Sequence, residues 1–504
     1  MAPAAQQPLR PSKEYARVVW ASHILSYLNP YTCSTVDGPS RPNLVTDVLP
    51  EDLDDSKDDW DDDLDTDAII AAEAPDYLAV RDEPIREKFL DCVAELLAHT
   101  KGGKHVAATA LREKENSVEV DVASNSPFSV EDDQWLACLS HFLANCGERR
   151  TTAADDTTYC VEDSCPSLLE ATVMRNATRL DRWIEEFATL LMGMGNMLVL
   201  SAATRPSFNP GEEHRMSVRD AAEEFAKWAR ASVLAPATGE SAAMARLRMV
   251  RLAAVVARSP EAASAEMKRI APCVDGSKAA RLCRLVARPA VNLWILARIA
   301  HLLPSFRAVA FIKVESPGFT QLASQQIPDL EAAWKRLGLP RLHCLPKSLS
   351  CRREQFRKDC ARAFPVHCDA QLLLRYAAEP SLVPSLPYVG CSKKACFLCH
   401  SLLSVLALQT RLRGHHGVCY PLWGVGVLQS ENLRQQLQQL CGIVRSKIIA
   451  QLSPSNRLVP RCVPQSSVMS DLRTVDMAGL RQQSAYREEL ERRNREFRER
   501  LQIL

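Results

Sequence analysis

At 504 residues, with 46% hydrophobic and 24% charged side chains and a formal net charge of +1, the chain has an ordinary folded composition sufficient for roughly two to four units. That balance excludes a global basic field, so any nucleic-acid binding must come from a local patch. The two most apolar runs, near 190–203 and 290–303, are short and interrupted by Gly193, Gly195 and Arg298, so no membrane partner is expected.

The opening, MAPAAQQPLRPSKEYARVVW, lacks the apolar core and small-residue cleavage site of a secretory signal. The expected location is intracellular, cytoplasm or nucleus, where the 18 cysteines are thiols or metal ligands rather than disulfides. Residues 1–75 form a first segment, rich in Pro and Ser and then acidic. Glu51–Asp67 holds eleven carboxylates against one Lys, which predicts a disordered stretch, either simply solvated or able to meet a basic surface.

Residues 76–128 read as the first ordered part. Ile85, Phe89, Val93, Leu96 and Leu97 recur at helical spacing over Pro84–His99, and Thr-Lys-Gly-Gly stops that helix. Strands follow at His105–Glu113 and Ser117–Ser124. In the second, Val118, Val120 and Val122 alternate with Glu119 and Asp121, predicting a strand buried on one face. Residues 129–363 are mainly helical, with segments at 130–145, 166–200, 217–234, 241–258, 260–286 and 288–303 and one strand-like run, Arg307–Glu315. No fixed period repeats, so a solenoid is not predicted. Residues 451–504 read as a linker and a charged helix. Leu490, Phe497 and Leu504 stand at heptad spacing, suiting either a protein partner or docking on the same chain.

Residues 364–450 carry the chemistry. His367-Cys368-Asp369 opens an apolar helix; Tyr388–Cys391 is a brief strand; Cys396-Phe397-Leu398-Cys399 opens a second helix. Thiolate and neutral imidazole are the ligands zinc prefers, and a catalytic site keeps three protein ligands. Two cysteines two residues apart at a helix start can point at one ion, where the helix dipole also favours thiolate. A histidine at another helix start, 29 residues before Cys396, completes a Zn2+ set of His367, Cys396 and Cys399. A structural cluster that recruits Cys368, Cys391 or His400 as a fourth ligand is the other arrangement this spacing allows. Arg352, Arg353, Arg357, Lys358 and Arg362 just upstream can track a phosphate backbone, although Glu354 and Asp359 dilute them into a solvated helix face.

Val366–Leu373 (VHCDAQLL), Tyr388–Cys399 (YVGCSKKACFLC) and Arg413–Trp423 (RGHHGVCYPLW) resemble the cytidine and nucleic acid deaminase superfamily. Within it they look like a branch expanded in fungi and found in some intracellular bacteria and trypanosomatids. The stretch spans roughly 364–424, about one eighth of the chain. The resemblance implies an α/β fold, a cytidine-deaminase-like mixed sheet with packed helices. The early helix and hairpin supply its first elements, and a large mainly α-helical insertion interrupts it. A competing assignment draws the first strands from Arg307–Glu315 and a neighbour. The resemblance also implies a zinc-dependent hydrolytic deaminase acting on cytosine or adenine in a nucleotide or nucleic acid. Asp369 would move the proton from water to departing ammonia.

Asn125 then stands where some deaminases contact the sugar, although Ala-Ser-Asn-Ser-Pro is also simply a turn. Arg413, His416, Tyr420 and Trp423 mix basic and stackable groups suited to a substrate base, although Trp and Tyr are often core residues. Two departures stand out. Ala395 replaces the proline usual before the first cysteine, and Asp369 replaces glutamate. Aspartate is one methylene shorter, so its carboxylate falls about an ångström short, a misplacement that can cost about 10²-fold in rate. Two rivals follow: a catalytically silent, zinc-stabilised binding protein, and an interaction scaffold with structural zinc.

Overall fold

The structure is a computed structural model that describes residues 11–28, 82–99, 105–148, 166–192, 216–234, 240–257, 260–270, 276–341, 345–426 and 431–452. The acidic run Glu51–Asp67 and the helix expected at 486–504 lie outside these residues.

Alternation along two short strands sets the architecture. In the antiparallel pair β1 (Ala107–Glu113) and β2 (Val118–Ser124), Ala107, Leu111, Val118, Val120 and Val122 enter one core while Ala108, Ala110 and Ala123 enter another. The first core is covered by α2 (Asp82–Leu97) through Ile85, Phe89, Val93 and Leu96. The second is covered by α13 (Cys368–Ala378) through Cys368, Leu372 and Tyr376. Thus β2 is buried on both faces, where its pattern predicted one. Its buried carboxylate, Asp121, accepts hydrogen bonds from Arg112 at 2.8 Å and the Tyr376 hydroxyl at 2.9 Å, which offsets the cost of taking a charge from water.

β1 lies between β2 and β6 (Tyr388–Cys391), and with edge strands β3 (Val309–Lys313) and β7 (Arg411–Leu412) the five-stranded order is β3-β2-β1-β6-β7. The competing assignment places Arg307–Glu315 among the first strands, but β3 is an edge strand. It lies parallel to β2, as β7 lies parallel to β6. A parallel neighbour requires a crossover rather than a hairpin. The helix α14 (Phe397–Leu406) lies in the crossover from β6 to β7. From β2 to β3 the crossover is the helical segment: α3 (Val130–Glu148), α4 (Pro166–Arg175), α5 (Ala177–Met192), α6 (Val218–Leu234), α7 (Glu240–Ala257), α8 (Pro260–Ile270) and α9 (Gly276–Leu302). All seven contribute to the core beneath α2.

The sequence pattern separates 260–286 from 288–303, yet α9 runs through that gap and carries Pro289 inside it. Proline there costs about 3 kcal/mol or more. Leu282, Leu285, Val286, Leu293 and Leu296 pack on both sides of it. Arg288 and Asn292 also bind Glu95 of α2 at 2.5 and 2.8 Å. Tertiary packing thus carries the helix through its breaker.

The sequence pattern placed no element before Pro84, yet Lys13–Leu28 forms helix α1. Its buried residues run all round it, Val18, Val19, Ser22, His23, Ile24 and Leu25 among them, so no one-sided stripe announces it. It lies against α10 (Leu330–Arg336), α11 (Lys347–Ser350), α12 (Arg353–Cys360) and α15 (Glu431–Leu452). It also shares a core with α13 and α14. A two-stranded sheet, β4 (Phe319–Gln321) with β5 (Ala363–Pro365), leads into α13. Among the described residues no helix is long and apolar enough to cross a membrane.

His23 makes the docking of α1 acid-sensitive. Its ring packs among Tyr27, Phe356 and Phe364, and neither ring nitrogen has a hydrogen-bond partner. Burial lowers its pKa from 6.5 to about 4, with Asp359 opposing and Arg362 reinforcing. The unfolded chain therefore takes the proton first. The stabilisation is full above pH 6.5 and is lost as pH falls toward 4, at a cost of about 3 kcal/mol. Glu95, held near 2 by Arg288, Arg413, Arg179 and Asn292 against the opposing effect of burial, titrates in a lower window. In urea unfolding, His23→Phe should lose less stability between pH 7 and pH 5 than the wild type, whatever its absolute stability. Equal losses would rule out His23 as the acid-sensitive group.

Candidate metal centre

Each of the two helices that carry the candidate ligands begins at one of them. His367 is the N-cap of α13 and Cys396 the N-cap of α14, each with extended backbone. The Cys396 sulfur accepts the Cys399 backbone N–H at 3.4 Å, which takes the place of an N-cap hydroxyl. His367 Nδ1 lies 3.7 Å from Cys396 Sγ and 3.6 Å from Cys399 Sγ. These three residues form a group that could hold a metal ion; among the described residues no other group of three or more does so. Cys368, Cys391 and His400, the alternatives for a fourth ligand, are not part of it.

The Arg413–Trp423 stretch surrounds these ligands. His367 Nε2 lies 3.2 Å from the Leu422 carbonyl. Because a carbonyl only accepts, that nitrogen carries the proton and Nδ1 faces the sulfurs. The Trp423 indole N–H donates to Cys399 Sγ at 3.3 Å. Backbone bonds from Ala395 to Gly414 (2.9 Å), from His416 to Ala395 (3.2 Å) and from Phe397 to Val418 (2.9 Å) clamp the stretch to the start of α14. Gly417 supplies a left-handed turn there, φ +70°. Gly424 allows close approach, since a Cβ would stand 2.5 Å from the Phe364 carbonyl oxygen.

The remaining residues singled out in the sequence fall as follows. Arg413 is bound to Asp91 at 3.5 Å and donates to the Cys391 carbonyl at 3.2 Å, fastening β6 to α2. Trp423 is buried behind the cysteines. His416 and Tyr420 are half-buried and meet edge to face at 5.2 Å. Asn125 Oδ1 accepts the Cys368 backbone N–H at 2.7 Å, tying the end of β2 to the first turn of α13. A cleft of about 100 Å³ opens beside it, lined by His99, His105, Ser124, Ser126 and Phe128 with residues of α3 and α4. In the upstream basic run, Arg352 lies over the Tyr27 ring, Arg353 pairs with Glu331 and Arg362 with Asp359. Leu422 and Tyr15 carry no sequence signal for the site. The first acts through a carbonyl, and the second reaches Trp423 from α1.

The charges are interlocked. Burial opposes ionisation of Cys396, but hydrogen bonds from Cys399 and His367 hold it well below the ordinary thiol value. Burial and then the neighbouring Cys396 and Asp369 push Cys399 the other way. Burial alone would lower His367, yet Cys396, Asp369 and the Leu422 carbonyl raise it to about 9. Asp369, buried in the first turn of α13, is raised by burial and by the Cys396 charge. His367, a hydrogen bond with Cys399 and the Ala370 N–H (3.0 Å) oppose this. An imidazolium–thiolate pair is what these neighbours favour, with the pKa of the carboxyl beside it shifted upward.

Residues 366–426 match the family described as OTT_1508_deam:-like deaminase. The match supports a member of the deaminase superfamily and coincides with the segment that holds all three candidate ligands. No curated protein and no solved structure matches the chain.

Metal uptake must expel the His367 and Cys399 protons. With His367 near 9, apparent metal affinity should fall at least about tenfold per pH unit between pH 8 and 6. Competition with a chromophoric chelator measures this, and a pH-independent affinity would contradict the ligand assignment.

Proposed function

We propose that the chain is a zinc-dependent hydrolytic deaminase acting on a cytosine or adenine base in a nucleotide or nucleic acid. The observation that carries this reading is a three-ligand His/Cys/Cys group with a buried acid in the same helix turn as its histidine. Tetrahedral zinc with Zn–N near 2.0–2.1 Å and Zn–S near 2.3 Å sets an N–S separation of about 3.5–3.6 Å. The separations of 3.7 and 3.6 Å fit it, as do the carbonyl that orients His367 and the N–H aimed at Cys399.

Zinc at these residues would supply Lewis acidity, lowering the pKa of a water. The chain's own part is proton transfer and orientation. Asp369 takes a proton from the attacking water and returns it to the departing ammonia. Its raised pKa suits both halves of that exchange. Asn125, whose neighbours Ser124 and Ser126 line the cleft, is the proposed sugar contact; His416 and Tyr420 are the further proposed substrate contacts. Arg413 and Trp423, engaged with Asp91 and Cys399, act in support of the ligands.

The runner-up is a silent zinc-stabilised binder. One observation favours it: the short Asp369 side chain is already engaged by the Ala370 N–H and Cys399. Ammonia release from a panel of nucleosides, nucleotides and oligonucleotides distinguishes the two. Asp369→Asn should lower the rate by about 10²-fold or more, while zinc content stays at one per chain. Activity in Asp369→Glu alone would establish the silent reading. Loss of zinc in Cys396→Ser is expected under both.

A further inference from the structure

Trp423 is held at two points, and its neighbours Gly424 and Cys419 at one each. Its indole N–H donates to Cys399 Sγ at 3.3 Å. Its carbonyl accepts the Tyr15 hydroxyl of α1 at 3.0 Å. The next residue, Gly424, donates to the Pro365 carbonyl at 2.7 Å, two residues before His367. Four residues earlier, Cys419 Sγ lies 3.7 Å from the Ser22 carbonyl, again on α1. Tyr15 and Trp423 are each 1% exposed, and the Tyr15 ring meets Phe364 of β5 edge to face at 6.4 Å.

We propose that Trp423 is a positioning residue of the metal centre, and that α1 acts through Tyr15 as the strap holding it there. A donor aimed at a metal-bound thiolate stabilises its charge and directs its remaining lone pairs away from the donor. The indole donates and cannot accept, so in the buried site its partner must be an acceptor, which the ligand sulfur supplies. The Tyr15 hydroxyl fixes the peptide from which the indole projects. A helix 395 residues upstream of Trp423 by sequence number thereby becomes part of the environment of the cysteine ligands. The proposal rests on reading His367, Cys396 and Cys399 as a metal site, and needs neither turnover nor a particular substrate.

The test uses the full chain loaded with Co²⁺, whose sulfur-to-metal charge-transfer band reports on the thiolates. Trp423→Phe keeps a ring in the core and removes the N–H. It should still take up one cobalt, move the band to longer wavelength, and lose metal to a chelator about 10–100-fold faster than the wild type. Tyr15→Phe removes one hydroxyl and should speed metal loss by a smaller factor. An unmoved band with unchanged metal loss in Trp423→Phe overturns the proposal, because a merely space-filling tryptophan predicts that result. If Trp423→Phe does not fold, Tyr15→Phe decides: faster metal loss supports the strap and an unchanged rate overturns it. A wild-type chain that binds no cobalt overturns the metal site itself, and the proposal with it.

Discussion

The pairing of β1 with β6 is the constraint on which the rest depends. Ala108, Thr109 and Ala110 lie opposite Cys391, Gly390 and Val389, joining a hairpin near residue 110 to the strand between the two ligand-bearing helices. Once β1 occupies the centre, β2 must lie on its far side, and the chain leaving β2 has two tasks. It must cross to a parallel edge strand, which needs a long connection, and it must cover the apolar face beneath α2. The helical segment α3 to α9 does both, so it belongs to the sheet's own core. Glu95 bound by Arg288 and Asn292 places charge pairing in that contact, where either partner alone would be a costly buried ion.

On the opposite face the side chains are small. Ala108, Ala110 and Ala123 let α13 lie close to the sheet, and its first turn carries His367 and Asp369. Asn125, at the end of β2, accepts the first free N–H of that helix. The position of the histidine ligand is therefore set by the hairpin as much as by its own helix. The cysteine pair is set by the stretch from Arg413 to Trp423, which wraps the start of α14, turns His367 through a carbonyl and donates to Cys399. These are the outer contacts that tune a metal site, and most come from backbone groups.

The acid beside the ligands is under opposing influences. Burial and a neighbouring thiolate favour its protonated form, while His367 and the helix N–H favour its charge. Such balance suits a group that must gain and lose a proton. Its shortness works against reach, since the same carboxyl is already bound within its own turn. In the proposed reaction, the reach of the acid therefore turns on a single methylene.

By itself the sequence determined the local features. The period-two valines predicted β2, the apolar stripe predicted α2, and the spacing of His367, Cys396 and Cys399 predicted a cluster, because each depends on neighbours within a turn or a strand. The boundaries of β2 and α2 held to within a few residues for the same reason. Only the tertiary structure decided what depends on distant partners. It gave β2 two buried faces because Arg112 and Tyr376 satisfy Asp121. It carried α9 through Pro289 because packing outweighs a missing hydrogen bond. It made α1 an element although its apolar residues show no preferred side, and set Trp423 against Cys399 and Arg413 against Asp91. Periodicity records which faces of a segment are apolar; whether a buried carbonyl, indole or carboxylate finds its partner is decided by the fold that brings the two together.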